Sequence, residues 1–284
     1  MTSPWLERRV IAFAHQGGSF EAPSSTLFAI EKAITNGATA IELDVHATKD
    51  RHIVVCHDET VDRTTNHSGE IASFTLEELR QMDNSYWWIA GDAVTPGRSE
   101  GEYLLRGKAP SDRRYGIATL KEVCENFPGV LLNMDIKRTD PEVEGYEELL
   151  ANELRRLGRT DSVIVASFHD QAIQKFRSIA PEIATSAATG ETAAFFFSLG
   201  EEKPVVPPVC SFQVPASFEG IDVVTEQFIE VAHRNGIAVH VWTINEVDEM
   251  DRLLDLGVDG LISDTPTQLV QLLQKRNCAW DGVL

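Results

Sequence analysis

With 284 residues, 43% of them hydrophobic, the chain is long enough for one large α/β barrel or two smaller domains, and to bury a core without disulfide staples. A formal net charge of -19 argues against nucleic acid or an acidic lipid surface as a partner, since both recruit Lys and Arg. No C-x-x-C spacing links Cys56, Cys124, Cys210 and Cys278, no window offers the ~18 apolar residues that cross a bilayer, and Met1–Val10 lacks the apolar stretch of a secretory leader, so a cytoplasmic protein without stable membrane insertion is expected.

In chain order, "VIAFAH" (10–15) reads as a strand that stops on His15, just before Gln16 and a glycine pair. A helix follows from near Ser25 to Gly37, a residue type at which helices end. "TAIELDV" (39–45) is the second strand. "HIVVCHD" comes next, an apolar run closed by His57, and then two short helices, "TLEELRQM" and "TLKEVCENF". These flank a stretch at about 84–116, rich in aromatics, glycine and arginine and without a clear period, which is expected to be an insertion or lid. Alternation then resumes with strands at 130–137, 162–168, 183–188, 209–214, 238–244 and 260–264, each followed by a helical run.

Strands alternating with helices predict a parallel sheet. Eight such units in about 250 residues is the count of a TIM (β/α)8 barrel, here with an insertion after the second strand unit, and the whole of residues 1–284 is expected to form one domain. A doubly wound open sheet is the rival, weakened by the absence of a G-x-G-x-x-G turn after the first strand.

Barrel chemistry sits at the C-terminal ends of the strands. His15 ends the first. Glu42 and Asp44 share one face of the second, opposite Ile41, Leu43 and Val45. The next strand repeats the device, with Asn133, Asp135 and Lys137 opposite Leu132, Met134 and Ile136. Carboxylates gathered in a buried sheet repel unless a cation neutralises them, so Glu42, Asp44 and Asp135 are expected to hold Mg2+ or Ca2+. His15 and His57 suit an acid–base pair and Lys137 an anionic group, a combination that points to phosphate-ester chemistry. His46 is expected to act behind the site, His240 to be structural, and Asp264 to cap the last helix.

The segments "AHQGG…PSSTLFAI", "AIELDVHATKDRHIVVCHDETVDRTTNHSG", "NMDIK", "VHVWTIN" and "VDGLISDTP" resemble the glycerophosphodiester phosphodiesterases, in order along nearly the whole chain. The resemblance implies a TIM barrel that cleaves small phosphodiesters such as glycerophosphocholine to sn-glycerol 3-phosphate and an alcohol. It implies His15 and His57 as the catalytic pair, and Glu42, Asp44 and Asp135 as metal ligands. Gln16, Lys137 and Trp242 would meet the substrate. Two segments depart from the family's usual pattern: Gln16 stands where an arginine is usual, and Ser24-Ser25 where Glu-Asn is usual. Arg98, Arg106, Arg113 or Arg114 of the insertion is therefore expected to replace the missing phosphate charge. A lysophospholipase D preference, suggested by the aromatic insertion and Phe195–Phe197, is the nearest alternative activity; a non-catalytic ligand-binding descendant is the alternative of another class.

Overall fold

The computed structural model describes residues 4–7, 10–137 and 143–280, so the reading of Met1–Val10 falls partly outside them. The eight expected strands form as β1 (Ile11–His15), β2 (Ala40–Ala47), β3 (Leu131–Ile136), β4 (Val163–Ala166), β5 (Ala184–Thr185), β6 (Ser211–Pro215), β7 (Ala238–Trp242) and β8 (Gly260–Ser263). In the same order the following helices are α1 (Leu27–Thr35), α2 (Leu120–Asn126), α3 (Tyr146–Arg156), α4 (Asp170–Ile179), α5 (Thr189–Phe197), α6 (Glu226–Arg234), α7 (Val247–Leu256) and α8 (Pro266–Lys275).

Neighbouring strands pair in parallel in the order β6-β7-β8-β1-β2-β3-β4-β5. A Ser186–Ser211 bridge joins the end of β5 to β6, where the Ala187 amide donates to the Ser211 carbonyl at 3.0 Å. The ring so closed is the TIM barrel that the alternation predicts.

Strand parity separates two cores. Ile41, Leu43, Val45, Leu132, Met134 and Ile136 face outward and pack under Leu150, Leu154, Ile173 and Phe176 of the helices. Ile11, Phe13, Ala40, Leu131, Ile164, Ala238 and Ile262 fill the barrel interior, floored by Trp5 and Trp280. Phe13 is wholly buried there, so truncating it to alanine should destabilise the barrel by ~3–5 kcal/mol. Above this plug the inward positions turn polar, and that change of lining makes the site.

The insertion begins as β2 outruns the barrel. Val45–Ala47 pair antiparallel with Ile53–Val55, which pair in turn with Ala118–Thr119. Val54, Cys56, Val61, Ile71, Leu79 and Ile117 form a small core of their own beneath it. Between residues 84 and 116 a hairpin of Trp88–Ile89 with Ala93–Val94 is pinned to the loop after β1: Trp88 Nε1 donates to the Ser19 carbonyl at 2.8 Å, and the Gly91 amide to that of Phe20 at 2.7 Å. Among the described residues no helix is long and apolar enough to cross a membrane.

Candidate active site

Register sets the floor of the site in two tiers. Cross-strand pairing puts His15 beside Glu42 and Glu42 beside Asn133; one tier higher it puts Asp44 beside Asp135. These side chains point inward because each shares the parity of a plug residue lower on its strand: Phe13 for His15, Ala40 for Glu42 and Asp44, Leu131 for Asn133 and Asp135. His57 joins them from the start of the insertion, just past the strand Ile53–Val55. His15, Glu42, Asp44, His57, Asp135, Lys137 and Trp242 all line one cavity of about 550 Å³ at the C-terminal end of the barrel.

Each of the two lining histidines is held through Nδ1 by a carboxylate. His15 Nδ1 lies 2.6 Å from Asp264 Oδ1, and His57 Nδ1 lies 2.6 Å from Asp58 Oδ1. Asp264 also accepts from Ser19 Oγ at 2.5 Å and from Asn245 Nδ2 at 2.9 Å. Burial opposes its charge, but these donors, His15 foremost, keep its carboxyl below the usual range. Arg63 Nε meets Asp58 Oδ2 at 2.6 Å, and His57 and Arg63 together outweigh burial to hold the Asp58 carboxyl well below the usual range. His15 is also 3.7 Å from Glu42 Oε2. Burial disfavours the imidazolium, yet the Glu42 and Asp264 carboxylates raise it to about 9.

The acids are short of positive charge. Burial and the Asp44 charge push Glu42 up to about 8, against the pull of His15 and Lys137. Burial likewise raises Asp135, partly offset by Lys137. Lys137 Nζ bridges the two upper acids, 2.9 Å from Asp44 Oδ1 and 2.6 Å from Asp135 Oδ2. Its own burial disfavours the ammonium, but the two carboxylates hold it above the usual lysine range. Asp44 Oδ2 and Asp135 Oδ1 remain buried without a hydrogen-bond partner. Among the described residues no three His, Cys, Asp or Glu side chains stand gathered as a finished metal cage. The donor set nevertheless fits a hard divalent cation: three carboxylates, of which Asp44 and Asp135 have unpartnered oxygens and Glu42 is pushed toward its neutral form by burial and the Asp44 charge.

Several expectations need correction. Asp264 does not cap α8; Thr265 occupies the cap position and Asp264 turns inward onto His15, because the end of β8 has the parity of the interior residue Ile262. None of the four insertion arginines lines the cavity. Arg98 pairs with Asp92 and Arg114 with Asp112 and Glu31, Arg113 donates to the carbonyls of Arg80 and Ile117, and the Arg106 guanidinium lies among the rings of Tyr86, Trp87 and Tyr103. Phe195 is buried against Phe212 and Phe228, so of that aromatic run only Phe196 and Phe197 reach the cavity.

Gln16 is buried behind the cavity rather than lining it. It adopts φ 51°, its amide donates to Glu42 Oε2 at 3.2 Å, and its side-chain nitrogen lies 3.3 Å from His15 Nε2. Trp242 stands edge-on to Phe168, ring centroids 5.6 Å apart. His46 Nε2 lies 3.4 Å from the His57 carbonyl, behind the site, and His240 is buried against Phe13. Sequence reading missed Asp58 and Asp264 as orienters. The adjacency of Asp58 to His57 and the inward parity of Asp264 were the available signals.

Comparison with known proteins places this arrangement in context. Residues 15–268 match the glycerophosphoryl diester phosphodiesterase family. A glycerophosphodiester phosphodiesterase of Caldanaerobacter subterraneus is 31% identical over 271 residues, covering 94% of this chain and 99% of that protein. One from Bacillus altitudinis is 27% identical, covering 93% and 98%. Among solved structures, the glycerophosphoryl diester phosphodiesterase domain of a Mycobacterium tuberculosis protein superposes with a TM-score of 0.74 at 19% identity, covering 93% of this chain and 98% of that one. An Oleispira antarctica phosphodiesterase in complex with the product sn-glycerol-3-phosphate superposes with a TM-score of 0.68 at 22% identity, covering 94% and 97%.

Proposed function

Since the chain belongs to the glycerophosphoryl diester phosphodiesterase family, whose members are phosphoric diester hydrolases, we propose that it hydrolyses glycerophosphodiesters such as glycerophosphocholine to sn-glycerol 3-phosphate and an alcohol. The observation that carries the reading is the pair of imidazoles on one cavity, each anchored at Nδ1 by its own carboxylate, with the Lys137 ammonium beside them.

The surroundings suit the two histidines to different work. His15 lies between the carboxylates of Asp264 and Glu42, which favour the imidazolium and suit it to give a proton to the leaving alcohol oxygen. The single carboxylate on His57 is shared with the Arg63 guanidinium and fixes the ring. With Nδ1–H directed at Asp58, the Nε2 lone pair of His57 is free to take the proton of the attacking hydroxyl, from water or from the glycerol itself. As that oxygen bonds to phosphorus, the bond from phosphorus to the leaving alcohol breaks and the His15 proton completes the alcohol; where the nucleophile is the glycerol hydroxyl, the product is a cyclic phosphate, which water must then open to give sn-glycerol 3-phosphate. Lys137 offers its charge to a phosphate oxygen, and Trp242 forms a wall for the organic part of the ester.

The family is generally metal-dependent. Glu42, Asp44 and Asp135 would hold the cation, Mg2+ or Ca2+. When bound, it supplies Lewis-acid stabilisation of the phosphoryl charge. Release of sn-glycerol 3-phosphate from glycerophosphocholine, measured with Mg2+ or Ca2+ and with EDTA, tests the reading. Turnover abolished by EDTA and restored by either ion supports it; near wild-type turnover in both His15→Ala and His57→Ala refutes it.

A further inference from the structure

The cavity has two unlike halves. On one side stand the imidazoles, Lys137 and the three carboxylates; on the other stand Phe196, Phe197, Phe218, Ile221 and Val223. Four of the eight exposed large apolar residues among those described stand at this rim and line the cavity: Phe197 is 78% exposed, Phe218 62%, Phe168 54% and Ile221 52%; Leu104, Val205, Val206 and Val247 lie elsewhere. Single exposed apolar residues need no explanation, but several converging on one catalytic cavity do.

Phe218 and Ile221 come from a two-residue hairpin, Ser217–Phe218 paired antiparallel with Ile221–Asp222. Its turn residues, Glu219 at φ 49° and Gly220 at φ 81°, both lie in the left-handed region, as a tight hairpin turn requires. Phe218 and Ile221 are directly opposite in register, so their side chains project from one face of the ribbon. Phe197 ends α5 and faces the same cavity. A water-soluble glycerophosphodiester has at most a small head group, such as a choline cation, to set on one of these rings and no apolar chain to cover the wall. A phosphodiester carrying one long hydrocarbon chain does.

We propose that the apolar half of the cavity seats a single acyl or alkyl chain, making single-chain phosphodiesters of the lysophospholipid class substrates of the site. This rests on the phosphodiesterase reading above for its chemistry, though not for the binding of the chain. The net charge of -19 disfavours docking on an anionic bilayer, so the occupant is one amphiphile molecule taken from the aqueous or zwitterionic pool rather than an acidic membrane surface.

Two measurements test it, using the full chain and a Phe197→Ser/Phe218→Ser/Ile221→Ser variant, whose changes fall on exposed side chains. The first is binding of hexyl- and dodecylphosphocholine below their micelle concentrations, followed by tryptophan fluorescence with chelator present. The dodecyl compound should bind at least about tenfold tighter than the hexyl one, and the difference should vanish in the variant. The second compares turnover of 1-palmitoyl-glycerophosphocholine and glycerophosphocholine. The variant should raise KM for the single-chain ester about tenfold or more and change glycerophosphocholine kinetics far less. Affinity independent of chain length, or a chain-length preference that survives in the variant, overturns the proposal. Dodecyl-selective binding without any ester hydrolysis would retain the chain site and reject the phosphodiesterase reading. Glycerophosphocholine turnover without chain selectivity would do the reverse.

Discussion

Replacing Asp264 with asparagine probes the least anticipated contact of the site. The carboxylate faces three donors: His15 Nδ1 at 2.6 Å, Ser19 Oγ at 2.5 Å and Asn245 Nδ2 at 2.9 Å. The amide keeps the shape, removes the charge and turns an NH2 group toward at least one of these donors. A hydrogen bond to a charged group contributes about 1.5–3 kcal/mol. The Asp264 bond fixes the ring and holds the imidazolium, so its loss leaves less His15 both protonated and correctly placed, and kcat/KM should fall roughly 10- to 150-fold. The pH profile should move as well. The Asp264 bond and charge help raise His15 to about 9 against its burial, so without them the alkaline limb of kcat/KM should shift toward lower pH. The assay is sn-glycerol 3-phosphate release across pH 6–10 at about physiological ionic strength, with Ser19→Ala as a milder control that leaves the His15 bond in place. An Asp264→Asn enzyme with kcat/KM within twofold of wild type and an unmoved alkaline limb would refute the assignment of Asp264 as the residue that orients and charges His15.

Truncating His57 to alanine should lower kcat by roughly 10²–10⁴, while Arg63→Ala, which only loosens Asp58, should fall well short of that in the same turnover assay. Lys137→Met leaves Asp44 and Asp135 buried without their shared cation; breaking such a pair costs about 3–5 kcal/mol. Calorimetry in EDTA should therefore show a clear drop in Tm, and Mg2+ or Ca2+ should recover much of it if the three carboxylates hold that ion. Without metal, thermal stability should fall as pH rises. Glu42 and His15 are raised to about 8 and about 9, so the folded chain binds more protons than the unfolded one, and the stability they contribute below their unfolded pKa values is lost progressively as pH rises from those values through about 8 and about 9. A cation that keeps Glu42 ionised should flatten the Tm–pH curve; an equal slope with and without cation contradicts the ligand assignment.

How far the sequence alone reached follows from what each signal depends on. The barrel was legible because a parallel strand buried on both faces must carry an apolar residue outward, as Ile41, Leu43 and Val45 do, whatever it presents inward. The same parity exposed Glu42, Asp44, Asn133 and Asp135 as anomalies, since period two is a local property of the chain. Asp264 and Asp58 could not be assigned so directly, because an acid after a strand reads equally well as a cap or a loop residue. Only closure of the ring, which brings β8 beside β1 across 249 positions of sequence, sets Asp264 against His15. The arginines of the insertion failed as phosphate ligands for a related reason: composition records that guanidinium groups are present, but the packing of the insertion sends them to Asp92, Asp112, Glu31, backbone carbonyls and a nest of aromatic rings. Periodicity within a strand thus determined which residues turn inward. Contacts between segments far apart in the chain depend on how the barrel closes, and those were decided by the tertiary structure alone.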